Sequence, residues 1–485
     1  MAEPHPGEWQ VVEQNAQVNA THACLLRTGK VLYWRAWGPP YESRLWNPAN
    51  GQIATQVIPP WPAPKNNIDP PGLFCSGHCF LPDGRLLVAG GDPEPQDPNP
   101  LHQFKGLKWT YIFDPVAETW SPASWLGNLH PMADGRWYPT VTALGEPRNI
   151  PEKVAAMSGF RRQLSGGVSV VNKEPQRYNP NSIPGWFSLP VEADMPPSFR
   201  DLYPGAHIIP YGSYAGEVFY SEPNLQAWRF KHWDTGNPPV FWNTVGAPRS
   251  AYRGGGCAVL LPLRVGSTAA KVLILGGDRG GTLGVTNTVE IIDLSLASPQ
   301  WTTVEPLFCA KFHANAVLLP DGKLLVVGGN QIGGFQCPLY TAELFDSATG
   351  KWTCVGGMSI DRNYHSTALL LPDGRVWVSG GEPEAQRRSI EVFSPGYLFE
   401  GSRPTIQSVP STISYGSQFQ IVVSEIISSA VLIRPGSVTH ALDMEQRYVE
   451  LSLGNAVING GVSYPVQAPG GCQYCSLGLL HAVCG

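Results

Sequence analysis

Thiol, phenol and imidazole side chains recur at one position of a repeated sequence pattern. In this pattern an apolar segment runs into a Pro-Asp-Gly turn, as it does at Asp83 and at Asp373. Cys75 lies eight residues before Asp83. His365 lies eight residues before Asp373, and Tyr364 is directly in front of it. Because imidazoles, phenolates and thiolates are ligands of transition metals, this spacing predicts part of a metal site where the apolar segments begin.

Each of these side chains, taken singly, has a more common structural explanation. A lone histidine at the beginning of a strand, such as His313, is usually a hydrogen-bonded structural residue. A lone cysteine is usually a small buried side chain. The combination is harder to explain, because the packing of strands gives no reason for phenols at such positions. The set consists of Cys75, Tyr138, Tyr364 and His365.

The elements that must position these side chains are repeats of about fifty residues. Residues 81–91 (LPDGRLLVAGG) recur at 319–329 and at 371–381, and residues 271–277 keep the second half of the pattern. An Asp-Gly turn between two apolar segments predicts a β-hairpin. A third apolar segment follows, which ends in aspartate and precedes a tryptophan. Four strands per repeat with diglycine and tryptophan residues are typical of kelch propeller blades.

The repeats predict an all-β chain with two domains. We expect a seven-bladed kelch-type β-propeller over residues 1–402, with an insertion at about 161–200. From 403 the diglycine pattern stops, and shorter alternating segments predict a small immunoglobulin-like β-sandwich over 403–485. Since the first strand of each blade lines the channel of a propeller, side chains at the beginnings of these strands should converge on one channel mouth.

The last sixteen residues of the sequence fit neither predicted domain. Cys472 and Cys475 in this stretch have the spacing of zinc ligands, but a second pair that would complete such a site is absent from the sequence nearby. We therefore predict an atypical end to the second domain.

The composition argues against several classes of function. A net charge of -5 and a pI near 6.1 give no basic footprint for nucleic acid or for an anionic membrane surface. The sequence has no apolar run of membrane-spanning length. The first ten residues lack the basic start and apolar stretch of a secretory signal, so none is expected, and the compartment is left open. We expect a monomer that acts on a small molecule.

Four motifs resemble those of the galactose oxidase and glyoxal oxidase family of copper radical oxidases. The resemblance extends over about residues 19–469. It rests on LFCSG at 73–77, RWYPT at 136–140, NYHS at 363–366, and residues 432–447 of the second domain, which include Thr439-His440. The RWYPT motif is more similar to the glyoxal oxidase branch than to the galactose oxidase branch.

The resemblance implies a copper ion held by Tyr138, His365 and His440 in a plane, with Tyr364 as an axial ligand. It also implies a thioether between Cys75 and the ring of Tyr138. Two imidazoles with an oxygen donor are a set that Cu(II) favours. Oxidation of an alcohol removes two electrons, whereas one copper ion accepts only one. The sulfur-substituted tyrosine would hold the second oxidising equivalent as a radical.

The resemblance further implies a role for each tyrosine. Tyr138 would abstract a hydrogen atom, and Tyr364 would accept the substrate hydroxyl proton as a general base. Dioxygen would reoxidise the site and leave as hydrogen peroxide. In galactose oxidase a tryptophan stacks on the modified tyrosine, and Phe160 is the candidate for that position here. Because His440 belongs to the second domain, a loop of that domain must reach the channel, so the two domains should be rigidly docked.

The expected activity is the oxidation of a small aldehyde or a primary alcohol. The sugar contacts of galactose oxidase have no clear match in this sequence, so galactose is not favoured as substrate. The alternative is a non-catalytic kelch propeller that binds a protein or glycan partner. A hydrolase is not favoured, because the sequence shows no motif of paired acids.

Overall fold

The protein is described by a computed structural model that covers residues 5–35, 41–62, 68–69, 71–92, 106–125, 127–145, 152–163, 169–196, 202–221, 224–234, 236–334, 336–458, 461–470 and 479–483. Strands and their connections make up almost all of these residues. Helical structure in this part of the chain is limited to the short 3-10 turns Val191–Ala193, Glu384–Gln386 and Gly396–Leu398. None of the described helical segments has the length and apolarity needed to cross a membrane. The prediction of an all-β chain is confirmed.

Seven antiparallel sheets follow one another through the described residues up to 394. Sheet one contains His22–Leu25, Val31–Trp34, Glu42–Trp46 and Ile53–Val57. Sheet two contains Gly77–Phe80, Leu86–Ala89, Thr110–Asp114 and Thr119–Pro122. Sheet three contains Thr140–Ala143, Val154–Met157, Gln176–Tyr178 and Trp186–Ser188. Sheet four contains Ala206–Ile208, Val218–Tyr220, Ala227–Phe230 and Trp242–Val245.

The remaining three sheets repeat the same order of strands. Sheet five contains Cys257–Leu260, Lys271–Leu275, Val289–Asp293 and Trp301–Val304. Sheet six contains Asn315–Leu318, Lys323–Val327, Ala342–Asp346 and Lys351–Val355. Sheet seven contains Ser366–Leu370, Val376–Gly380 and Ile390–Ser394, and its fourth strand is the N-terminal Glu8–Glu13. Minor two-stranded pairs are formed by Trp61–Pro62 with Ile68–Asp69, by Ser124–Trp125 with Asn128–Leu129, and by Phe160–Gln163 with Ser169–Val171.

The core lies between neighbouring sheets. Leu87 of sheet two, for example, is packed in one cluster with Val141 and Ala156 of sheet three. The first strands are buried along their whole length in the sheets that begin with His22, Gly77, Thr140, Ala206, Cys257, Asn315 and Ser366. First strands of sheets two and three, five and six, six and seven, and seven and one contact each other. The beginnings of the first strands are thereby gathered around one central space.

The diglycine pairs bring the beginning of the next sheet close to the end of each second strand. A Cβ atom at Gly90 would lie 2.4 Å from the carbonyl oxygen of Arg136, so only glycine allows this approach. Gly91 donates its N–H to the same carbonyl at 2.8 Å. Equivalent contacts join Gly276 and Gly277 to Lys311, and Gly328 and Gly329 to Arg362. These contacts fix the backbone two residues before Tyr138, His313 and Tyr364.

The same basic residues are buried and paired inside their own sheets. Lys311 Nζ lies 3.2 Å from a carboxylate oxygen of Glu343, and Arg362 Nη2 lies 3.1 Å from one of Glu391. Arg136 differs, because it donates to the backbone carbonyls of Ser158 and Glu174, and burial lowers its pKa to about 9. Removing one partner of such a pair would leave a buried charge unpaired, which is strongly destabilising. These pairs anchor the segments that carry the site.

Residues 161–200, predicted as an insertion, contribute two strands to sheet three. Gln176–Tyr178 pairs with Val154–Met157, and Trp186–Ser188 pairs with Gln176–Tyr178. The inserted part between second and third strands is the hairpin Phe160–Gln163 and Ser169–Val171. The predicted insertion was therefore too long. The two strands were not recognised, because they are only three residues long and lie in a stretch rich in proline and asparagine.

The C-terminal residues form a separate seven-stranded sheet. Its order is Ile406–Ser408, Gln418–Val423, Val462–Gln467, Arg447–Leu453, Ser429–Arg434 and Leu479–Val483, with Val457–Ile458 paired to Val462–Gln467. Arg447–Leu453 connects the two halves, because its last residues pair with Val462–Gln467 and its other residues pair with Ser429–Arg434. Leu479–Val483 belongs to the stretch predicted to fit neither domain, and it adds a strand to this sheet. Cys472 and Cys475 lie outside the described residues.

The loop predicted to reach the channel is a hairpin. Ser437–Thr439 and Leu442–Asp443 pair with each other, and Ser437–Thr439 also pairs with the first strand of sheet one, with Thr439 opposite His22. Sheet one thereby has six strands. His440 stands in the turn of this hairpin, at the end of the central space where the first strands begin.

Candidate metal centre

The residues at the beginnings of the first strands have left-handed backbone conformations. The φ angle is 53° at Cys75, 62° at Tyr138 and 60° at His313, each two residues before a first strand. It is 66° at His365 and 51° at His440. A non-glycine residue with such a φ is strained by roughly 1–3 kcal/mol and persists only where its surroundings hold it. Because several such residues lie close together here, we infer that the strained backbone serves to orient their side chains.

These conformations bring together the five residues predicted from the sequence. The hydroxyl oxygens of Tyr138 and Tyr364 are 2.5 Å apart. Cys75 Sγ lies 3.4 Å from Nε2 of His440. One ligand atom from each of Cys75, His365 and His440 lies within 4.8 Å of the others. Their roles as ligands or as a cross-linked pair stay predictions.

The ring orientation of His365 is set by a carboxylate. His365 Nδ1 lies 2.6 Å from Oε1 of Glu382, and the carboxylate accepts the Nδ1 proton. The lone pair of a neutral His365 is then on Nε2. That atom is buried and has no hydrogen-bond partner among the described residues. A buried nitrogen lone pair without a hydrogen-bond partner is suited to bind a cation.

The ring of His440 is oriented by a threonine. The Thr439 hydroxyl donates to the carbonyl of Thr21 at 3.0 Å. The same hydroxyl oxygen is 2.6 Å from Nδ1 of His440 and must accept the proton of that nitrogen. The lone pair of His440 is therefore also on Nε2, which lies 3.4 Å from Sγ of Cys75.

Burial controls the protonation of the site. It lowers the pKa of His365 and, well below its usual value, that of His440, so both rings are neutral. It raises the pKa of Tyr138 and Tyr364 well above the usual value of a phenol. Both phenols therefore keep their protons unless a cation stabilises the phenolate. Two neutral imidazoles and two oxygen donors form a set that fits Cu(II).

Cys75 lies beside Tyr138 and is held to it through the backbone. The N–H of Tyr138 donates to the carbonyl of Cys75 at 2.9 Å. Burial raises the pKa of the Cys75 thiol, and a side-chain hydrogen bond with Tyr138 opposes that rise. The thiol therefore remains protonated at neutral pH, next to the ring with which it was predicted to be linked.

Three aromatic rings contact Tyr138 among the described residues. Trp137 meets it edge-on with ring centroids 4.6 Å apart, Tyr203 at 5.0 Å and His440 at 4.9 Å. Phe160 instead packs on Trp137, at 5.9 Å. Among the described residues Phe160 makes no ring contact with Tyr138 itself. The stacking of Phe160 on Tyr138 therefore stays a prediction.

Sequence reasoning missed two further members of the site. Tyr203 contacts both Tyr138 and His440, and it is three residues before the first strand of sheet four. Alignment of sheet four with the other repeats would have indicated it. Glu382 directly follows the diglycine of sheet seven, which lies at the same end of the sheet as the beginning of the first strand.

His313 had the spacing of a site residue but was interpreted as structural. Its ring lies 4.5 Å from that of Tyr364. Its Nδ1 is buried without a hydrogen-bond partner among the described residues. The equivalent position in sheet five is Gly255, where a Cβ atom would lie 2.7 Å from the His313 ring. Because Gly255 has no side chain, the ring of His313 fits beside it.

Comparisons with known proteins find relatives for both parts of the chain. The family described as glyoxal oxidase N-terminus matches residues 71–397, and the galactose oxidase-like early set domain matches 403–480. A galactose oxidase from Gibberella zeae is 27% identical over 96% of this chain and 67% of its own length. The aldehyde oxidase GLOX from Vitis pseudoreticulata is also 27% identical, over 96% of this chain and 92% of its own.

A solved structure shows the same fold. It is described as a novel fungal alcohol oxidase with catalytic diversity among the AA5 family, in complex with copper. It superposes with a TM-score of 0.73 at 22% identity, and the match covers 99% of this chain and all of that chain. The family matches span both parts of the chain in the same order. The chain therefore belongs to the glyoxal oxidase and galactose oxidase family of copper radical oxidases.

Proposed function

We propose that this protein is a copper-dependent oxidase that oxidises a small aldehyde or primary alcohol with dioxygen and releases hydrogen peroxide. The observation that carries this proposal is the clustering of Cys75, His365 and His440, whose possible ligand atoms lie within 4.8 Å of one another, beside the paired phenols of Tyr138 and Tyr364. Relatives named galactose oxidase and aldehyde oxidase support it. When bound, the copper ion would supply one of the two oxidising equivalents that this reaction needs.

Four side chains would hold the copper ion. They are Tyr138, Tyr364, His365 and His440. Glu382 and Thr439 fix the two imidazole rings, so the nitrogen donors need no reorientation before binding. This preorganisation supports a resident metal rather than an occasional one.

Tyr364 would accept the proton of the substrate hydroxyl. Its oxygen shares a hydrogen bond with Tyr138, and burial raises its pKa, so its phenolate is a stronger base than an exposed one. The proton would be held at the Tyr364 hydroxyl oxygen. The rings of His313 and His365 pack against the Tyr364 ring, with centroid distances of 4.5 and 3.8 Å.

Tyr138 would take a hydrogen atom from the substrate carbon. For this it must first be oxidised, and a sulfur substituent from Cys75 would make its ring easier to oxidise. Hydrogen bonding between the Cys75 and Tyr138 side chains supports this pairing. The thioether and the ring together would form the protein-derived radical cofactor.

The seven sheets are interpreted as the blades of a seven-bladed kelch-type propeller over residues 1–402. Contacts between successive first strands support this interpretation, as does the closure of sheet seven by Glu8–Glu13. The C-terminal sheet would be the immunoglobulin-like β-sandwich of 403–485, because its two halves enclose one apolar cluster. The site would lie at one mouth of the propeller channel.

The first test is copper content and absorption of the reconstituted protein. After Cu(II) loading and mild oxidation, we expect one copper per chain and an intense visible to near-infrared band. Tyr138→Phe should lack the band, whereas Tyr33→Phe, at a buried tyrosine of sheet one, should keep it. Peroxide release is then measured over a panel of small aldehydes and primary alcohols. Folded protein that holds no copper would contradict the proposal and leave the non-catalytic binding module.

A further inference from the structure

A row of buried polar side chains leads away from Cys75 and is not used in the proposed reaction. It runs through side chains that are at most 4% exposed, namely His22, His78, Ser437 and Cys24. Three of these belong to the first strands of sheets one and two, and Ser437 belongs to the hairpin that carries His440. Such a buried row is stable only if every donor has an acceptor.

The backbone of Cys75 determines the direction of every hydrogen bond in this row. Its N–H donates to Nε2 of His22 at 3.0 Å, so that nitrogen carries no proton. The neutral His22 ring therefore has its proton on Nδ1, which lies 3.1 Å from Nε2 of His78. By the same argument, His78 donates from Nδ1 to the hydroxyl of Ser437. The Ser437 hydroxyl then donates its proton to Sγ of Cys24, which lies 3.1 Å from the hydroxyl oxygen.

Two further observations fix the His22 ring. It lies parallel to the indole of Trp34, with an interplanar angle of 4° and a centroid distance of 4.9 Å. Burial lowers the pKa of His22 well below its usual value and that of His78 to about 3, so both rings stay neutral. The acceptor that faces Cys75 is therefore permanent at neutral pH.

Cys75 is held from both sides of its backbone. His22 accepts its N–H, and its carbonyl accepts the N–H of Tyr138. These bonds maintain the left-handed conformation, with φ of 53°, that turns the thiol toward Tyr138. Without the His22 acceptor, a buried N–H would be unpaired and the segment would relax from this conformation.

We propose that His22, oriented by His78, is a positioning residue for the formation of the thioether between Cys75 and Tyr138. This inference rests on the proposed function. In the reaction the S–H bond of Cys75 and a ring C–H bond of Tyr138 break, and a C–S bond forms. The two protons and two electrons go to dioxygen, which becomes hydrogen peroxide. His22 exchanges neither protons nor electrons but keeps the thiol at the ring.

The test follows thioether formation directly. Copper and dioxygen are added to metal-free protein, and the loss of two hydrogen atoms from the linked peptides of Cys75 and Tyr138 is timed by mass spectrometry. His22→Phe keeps a ring against Trp34 but removes the acceptor, and we expect formation about tenfold slower. His22→Gln supplies a side-chain oxygen and should restore most of the rate. His232→Phe, at a buried histidine between the third and fourth strands of sheet four, serves as the matched control.

The outcomes separate this inference from the proposed function. Absence of the thioether in the unaltered protein would overturn the proposed function itself. Formation in His22→Phe at the unaltered rate, or an equal slowing in His232→Phe, would overturn the role of His22. If His22→Phe does not fold, Ser437→Ala is used instead, because it removes only the hydroxyl that accepts the proton of His78. Thioether formation should still slow severalfold, and an unchanged rate would overturn the role of His22. Once linked, His22→Phe should show the unaltered absorption band.

Discussion

The lone pair that His365 presents to the site depends on a carboxylate seventeen residues further along the chain. Glu382 accepts the Nδ1 proton of His365 at 2.6 Å. Glu382→Ala would free the ring to rotate and to change tautomer, and we expect copper affinity to fall about 10- to 100-fold. Competition with a chelator of known affinity measures this. Glu382→Gln retains an acceptor, so its copper affinity should fall much less. Equal copper affinities of Glu382→Ala and the unaltered protein would contradict this role of Glu382.

Gly255 should tolerate no side chain, for reasons of space as well as conformation. A Cβ atom there would lie 2.3 Å from the ring of Phe312 and 2.7 Å from that of His313, at a φ of 59°. We expect Gly255→Ala to lower the free energy of unfolding by about 2–4 kcal/mol, of which about 1 is backbone strain. Gly281→Ala is the control, because Gly281 has a φ of 57° with open space around it. Similar urea midpoints for the two variants would show that no clash occurs.

Single residues of the site were predictable to different degrees. Cys75, Tyr138 and His365 could be predicted because the repeats align them at one position before a strand. His440 lies outside the repeats, and only the resemblance of its motif to the family indicated it. Glu382 could not be predicted, because its role depends on the approach of two segments at one end of sheet seven, which local spacing does not report.

At the scale of elements, the hairpin of Ser437–Thr439 and Leu442–Asp443 fixes the second imidazole. The Thr439 hydroxyl bridges Thr21 and His440. Thr439→Val keeps the shape of the side chain but removes this bridge, leaving the Nδ1 proton of His440 unpaired. Copper affinity should fall about tenfold, since such a buried bond contributes about 1–2 kcal/mol. Thr439→Ser keeps the hydroxyl and should bind copper like the unaltered protein in the same chelator competition.

Hairpins were the elements that the sequence predicted best. Each Asp-Gly turn has a local mechanism, since the aspartate accepts the N–H two residues on, as Asp83 does from Arg85 at 3.0 Å. Long-range pairings carry no such local signal. The pairing of Glu8–Glu13 with Ile390–Ser394 joins the two ends of the repeat region, and neither strand alone indicates its partner.

At the scale of the whole molecule, the segment after His440 crosses the central space to the far ends of the first strands. A carboxylate oxygen of Glu445 accepts the N–H of Phe80, and the side chain of Gln446 accepts that of Leu318. Phe80 and Leu318 are the last residues of their strands, whereas the metal-site residues precede such strands. The C-terminal part is therefore anchored along the length of this space, and rigid docking of the two domains stays a prediction.

Acid should unfold the metal-free protein through its buried histidines. Burial lowers the pKa of His78, His207, His232 and His313 to about 3. The unfolded chain binds these protons below about pH 6.5, so this stability is intact above pH 6.5 and is lost as the pH falls toward 3. Four such groups lower the free energy of unfolding by about 5 kcal/mol per pH unit, comparable with the total stability of a domain.

This acid sensitivity can be measured by urea unfolding of the metal-free protein between pH 7.5 and 5.5, together with proton uptake on unfolding at pH 5. At least about four protons should be taken up per chain. His232→Phe removes one of these groups away from the metal site, so it should take up about one proton fewer and show a correspondingly shallower pH dependence. A free energy of unfolding that stays constant over this range would mean that the imidazoles are protonated in the folded protein. Their hydrogen-bond directions, including those of the row behind Cys75, would then have to be reassigned.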